Sequence, residues 1–70
     1  MREKGTVKSF GAKGGYGFIE NDDSGEILFF HNTEWKLPIK AQPGLIVEYT
    51  PAKTDKGMRA TDIQRARRSI

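Results

Sequence analysis

The chain has 70 residues, and one this short buries only about 60% of the surface its unfolded form exposes, so it makes a single domain with a small core. It contains no cysteine and one histidine, which excludes a disulfide framework and a thiolate zinc site and leaves any metal to carboxylates. The net charge of +3 conceals a neutral body, because residues 1–63 carry nine basic and nine acidic side chains and Arg65, Arg67 and Arg68 supply the surplus.

The longest apolar run, Ile27 to Phe30, is far below the roughly 20 residues of a membrane span. Met1-Arg2-Glu3-Lys4 lacks the apolar region of a signal peptide, so a soluble, cytoplasmic chain with no membrane partner is expected.

Five runs rich in branched or aromatic residues, bounded by turn chemistry, predict strands near 5–10, 15–20, 26–31, 45–50 and 58–64. The glycines of Gly11-Ala12-Lys13-Gly14-Gly15 and the run Asn21-Asp22-Asp23-Ser24-Gly25 supply hairpin connections, which makes the first three strands a meander. Residues 32–44, with Pro38 and Pro43 and no sustained period, read as a long connection with room for a short helical turn. In the fourth run Leu45, Val47 and Tyr49 have inward parity, and Thr50-Pro51 marks its end. Pro51 to Gly57 is expected as a polar loop. The fifth run, Met58 to Gln64, closes the body at residue 64 and leaves 65–70 as a basic, mobile tail, either a polyanion clamp or a solubilising end.

The most informative pattern lies in Gly15-Tyr16-Gly17-Phe18-Ile19 and Ile27-Leu28-Phe29-Phe30-His31. Side chains two apart in a strand share a face, so Tyr16 with Phe18, and Phe29 with His31, present three rings and an imidazole on one surface. The opposite parity, Gly17, Ile19, Leu28 and Phe30, suits a packed interior. An exposed aromatic surface is costly in water unless something stacks on it, and nucleobases are the commonest flat partner. Parity alone does not say which face is buried, and a barrel that uses these rings as core is the alternative. Phe10 is compatible with either face. Lys4, Lys8 and Lys13 flank the rings while Asp22, Asp23 and Glu26 cluster beyond them, an asymmetry that suits a polyanion passing one end.

Catalysis or metal binding by His31 would require a nucleophile or further ligands at matching positions, and none is evident, so no catalytic residue, cofactor or metal is expected. Base stacking or hydrogen bonding is its expected role, with a satisfied strand-end histidine as the alternative. The glycine-rich stretch 11–17 lacks the GKS or GKT ending and the following helix of a phosphate-cradling loop. Trp35, in the irregular connection, is expected to pack against the barrel end, an added stacking surface being the alternative.

Gly5-Thr6-Val7-Lys8-Ser9-Phe10 resembles the first strand of the cold-shock domain family, Gly15-Tyr16-Gly17-Phe18-Ile19 its first ribonucleoprotein motif, and Leu28-Phe29-Phe30-His31 its second. Weaker matches at Gly44, Val47, Tyr49, Gly57, Ala60 and Ile63 extend the resemblance over about residues 4–64. It implies an all-β, five-stranded antiparallel OB-fold barrel that binds single-stranded RNA or DNA, and a role as RNA chaperone, transcription antiterminator or translation regulator. Carried over residue by residue, the implied nucleic-acid-binding set is Lys8, Phe10, Lys13, Tyr16, Phe18, Phe29 and His31, in a monomer. The chain departs from the family's pattern at Ser9, where a tryptophan is usual, at Gly14, usually basic, at Asn32, usually aromatic, and at Ile27, commonly polar. The rival expectation is a protein-interaction module docking a partner on the same aromatic face.

Overall fold

The computed structural model describes residues 2–11 and 13–66. Five strands, β1 (Glu3–Gly11), β2 (Tyr16–Asn21), β3 (Ile27–His31), β4 (Ile46–Thr54) and β5 (Gly57–Arg65), form a closed barrel in the order β1-β2-β3-β5-β4. A single turn of 3-10 helix, Asn32–Glu34, follows β3. The pairings β1–β2, β2–β3, β1–β4 and β4–β5 are antiparallel, whereas the junction of β3 with β5 is parallel, through Phe29 opposite Arg59. All five expected strands are present: β1, β4 and β5 end beyond the expected residues, β2 is shifted by one residue and β3 starts one residue later than expected.

The core is Val7, Ile19, Leu28, Phe30, Val47, Tyr49, Ala60 and Ile63, all buried. Alternation along β2, β3 and β4 delivers it, since each strand turns every second residue inward. Gly17 is required at its position because a Cβ there would collide with the Ser9 carbonyl and come within 2.8 Å of the Phe30 ring. The ring of Phe30 lies between Phe10, 5.9 Å away and nearly parallel, and Trp35, 5.7 Å away. Trp35 thus packs on the barrel end, its indole N–H donating to the Ile39 carbonyl at 2.6 Å and its backbone bridging to Ile63.

Two irregularities govern which residues face out. In β1 the register passes from Val7 opposite Ile19 to Ser9 opposite Phe18, so Lys8 is an extra residue in a bulge. Parity therefore inverts after Val7: Ser9 joins the outer face and Phe10, opposite Gly17, turns toward the interior. A second bulge in β5, between the pairs Thr50–Thr61 and Glu48–Gln64, contains Asp62 at φ 49°. Asp62 is held there by Arg2, which donates to its carboxylate at 2.7 Å, and by its own N–H donating to Glu34.

The expected end of the fourth strand at Pro51 is corrected. β4 continues to Thr54, with Pro51 opposite Ala60 and Thr54 opposite Gly57, leaving Asp55-Lys56 as a two-residue hairpin loop in place of a seven-residue one. Pro51 is tolerated because β4 pairs with β1 only up to Tyr49. Beyond that residue one side of the strand is an edge, where the missing N–H costs no ladder bond. β5 likewise runs one residue past its expected end, placing Arg65 opposite Val47. Arg67, Arg68 and the rest of the expected tail lie outside the described residues.

Asn21, buried at the end of β2, organises the turn into β3. Its side-chain oxygen accepts the N–H groups of Asp23 and Ser24, and its amide donates to Glu3 at 2.6 Å and to the Tyr49 hydroxyl at 2.7 Å. Burial raises the pKa of Tyr49 above its ordinary 10.0; the Asn21 hydrogen bond opposes this in part, and the charges of Glu3, Glu26 and Asp22 add to it. The native state thus favours the neutral phenol. Its contribution to stability is complete below pH 10.0 and declines as pH rises beyond that value. Urea unfolding between about pH 9 and 11 is expected to show a steeper alkaline loss than Tyr49→Phe, and equal slopes would exclude this linkage.

Candidate functional site

The outer faces of the strands meet in one cross-barrel row. Ser9 lies opposite Phe18, Phe18 opposite Phe29, Phe29 opposite Arg59, and Arg59 opposite Ala52. Alongside, Gly11 lies opposite Tyr16 and Tyr16 opposite His31. The three rings form a triangle, with centroids 5.6 Å apart for Tyr16–Phe29, 6.0 Å for Phe18–Phe29 and 6.3 Å for Tyr16–Phe18. Their edge and tilted arrangements suit the ring quadrupoles. Tyr16 is 43% and Phe18 37% exposed, while Phe29 and His31 are half-buried between neighbours. The aromatic surface faces solvent, and the alternative in which these rings form the core does not hold.

His31 caps the 3-10 turn. Its Nδ1 accepts the Thr33 N–H at 3.3 Å and lies 3.0 Å from the Thr33 hydroxyl. With Nδ1 an acceptor, the neutral ring carries its hydrogen on Nε2. The imidazole is oriented by the turn beneath it, and the strand-end structural role exists together with a place beside Tyr16.

Phe10 is not brought into this row. The bulge at Lys8 turns it inward, where it stacks on Phe30 with one edge left in a shallow pocket of about 280 Å³ shared with Asn32, Trp35 and Ile39. Lys8 is exposed beside the row, but its ammonium lies 3.1 Å from the Glu20 carboxylate. An ion pair this exposed contributes little, so a phosphate could displace the carboxylate at small cost. Lys13 is exposed in the turn between β1 and β2. Gly14 lies against the ring of Tyr16, which would collide with a Cβ there. Asn32 hydrogen-bonds through its backbone N–H to the Gly15 carbonyl, and Ile27 is exposed opposite Glu20.

Sequence pattern misses one member of the row. The guanidinium carbon of Arg59 lies 5.2 Å from the centre of the Phe29 ring, a cation–π contact across the parallel junction. Its outward parity follows from Ala60 facing in, but its proximity to Phe29 depends on a pairing between strands far apart in the chain.

The model of the "Cold-shock" DNA-binding domain family matches residues 3–66. The chain is 35% identical over 66 residues to a cold shock-like protein of Aquifex aeolicus (strain VF5), covering 91% of this chain and 94% of that one. Among solved structures, the Drosophila Unr CSD456 chain superposes with a TM-score of 0.78 at 28% identity, over 96% of this chain and 27% of its own length. A small closed β-barrel carrying an open aromatic face belongs to a class that binds nucleic acid. Within that class, the chain belongs to the cold-shock domain family, a family of nucleic-acid-binding domains.

Proposed function

We propose that this protein binds single-stranded RNA or DNA by stacking bases on Tyr16, Phe18 and Phe29, with His31 beside them and Lys8 and Lys13 meeting phosphates. Holding bases unpaired disfavours hairpins, the basis of a role as RNA chaperone or as regulator of transcription or translation. No chemistry is assigned to the site, and the protein acts as a cytoplasmic monomer whose binding domain runs through β5 to Arg65.

One observation carries this reading: Tyr16 and Phe18 are left open to solvent, in contact with each other and with a half-buried Phe29, on a barrel whose buried core lies on the other face. A buried aromatic contributes to stability, whereas an exposed one is costly unless a partner covers it. Amide chemical-shift mapping with a short oligothymidine tests the reading. Shifts should concentrate on β2, β3 and the turn holding Lys13, and shifts confined to residues 32–44 would exclude stacking on these rings. Under the rival reading, in which the face docks a partner protein and no oligonucleotide binds there, the oligonucleotide would not compete and partner binding would depend little on salt.

Ser9 lies opposite Phe18 on the outer face and is exposed. Ser9→Trp should extend the ring surface by one platform and strengthen oligothymidine binding by roughly 1 kcal/mol or more, with quenching of the new indole as bases stack. A fluorescence titration against the parent, with Trp35 as background, measures this. Unchanged or weaker affinity would mean that the strand passes β1 by.

A further inference from the structure

Arg59 is an unusual member of an aromatic row. It stands between Phe29 and Ala52, and its Nε is buried with no hydrogen-bond partner among the described residues. A covered Nε is out of a ligand's reach, so what Arg59 offers to the groove it lines is its pair of terminal Nη nitrogens. Beside it a groove of about 590 Å³ runs from Phe29 to the β4–β5 hairpin, lined by Thr54, Asp55, Lys56, Met58 and Arg59. That volume lies within the ~300–1,000 Å³ of pockets that hold small flat ligands.

The geometry points to Arg59 as the residue that reads a guanine next to the base stacked on Phe29, an inference that rests on the proposed single-strand binding. Guanine presents O6 and N7 as adjacent acceptors matched to a guanidinium fork, whereas adenine offers a donor beside N7 and thymine a single acceptor on that edge. Arg59 continues the row directly after Phe29, so a base splayed beside the one stacked on that ring meets the guanidinium. Asp55 on the same groove repels phosphate and accepts from the guanine amino group, so the mixed charge of the lining fits a base edge better than a backbone.

The test measures affinity of the whole protein for an oligothymidine of about eight nucleotides, within the site size of one such barrel, at fixed salt. One thymidine at a time is replaced by dG, dA, dC or 7-deaza-dG. At one position dG should bind about tenfold or more above dT, dA and dC, the scale of a bidentate base contact. 7-Deaza-dG, which lacks the N7 acceptor, should lose most of that gain on the unaltered protein. Arg59→Lys keeps the charge but not the fork, and should remove the dG preference, so that the four bases at that position bind within about threefold of one another whatever the overall affinity. A dG preference at no position, or one that survives Arg59→Lys, overturns the inference. So does an Arg59→Gln variant that binds every sequence equally more weakly with a salt slope lower by about 0.7, the mark of a phosphate contact. Binding without base preference leaves the single-strand reading intact, whereas no binding to any of these oligonucleotides overturns both.

Discussion

Phe30→Ala is expected to lower unfolding stability by about 3–5 kcal/mol, the cost of deleting a large buried aromatic and leaving a cavity. Phe30 is 0% exposed, and its ring separates two others, so its loss removes the shared support of Phe10 and Trp35 together. Gly17 cannot compensate, since any side chain added there meets the Ser9 carbonyl as well as the vacated space. In a 70-residue domain the penalty is a large part of the total, typically 5–15 kcal/mol. Urea titration followed by Trp35 fluorescence measures it. A loss under about 1 kcal/mol would mean that the barrel end repacks and that the three-ring stack is not its support.

The outer rings should give the opposite result. Phe18→Ala and Phe29→Ala are each expected to weaken oligonucleotide binding by about 1–3 kcal/mol while the domain stays folded, and the two together by more than either. Phe18 carries the cleaner test because Phe29 also supports Arg59, whose guanidinium loses its ring partner in the alanine variant. The two rings are 6.0 Å apart, so the double variant should depart from additivity. Isothermal titration beside a thermal melt separates affinity from stability. Unfolding of Phe18→Ala without loss of affinity would invert the assignment of faces.

The face assignment in β2, β3 and the first half of β4 was legible because a strand with one buried side writes its parity directly into the sequence. That Tyr16 and Phe18 share one face and Ile19 the other, and that Phe29 parts from Leu28 and Phe30, needed no knowledge of neighbours, whereas which face is buried came from the resemblance and is decided by the structure. The interior side of Val47 and Tyr49 followed in the same way. What stayed hidden depends on single-residue slips or distant pairing. The bulge at Lys8 leaves no mark in residue types, yet it decides that Ser9 faces out and Phe10 in. Pro51 reads as a stop, because the rule against proline assumes two neighbours and the strand there has one. Asp62 takes a positive φ in a strand-like run only because Arg2 and Glu34 hold it from elsewhere in the chain. Arg59 enters the row through the parallel junction of β3 with β5, which no local pattern announces.

That junction has a further consequence. β3 meets β5 through one register pair, Phe29 with Arg59, so the two residues at the heart of the outer row are also the clasp of the barrel. A strand lying across both residues would bolt the clasp shut, and by mass action any ligand that prefers the closed form stabilises it by RT ln(1 + [L]/Kd). Conversely, a local opening that parts β3 from β5 divides the surface a ligand needs. Recognition and closure in this barrel are two readings of one equilibrium.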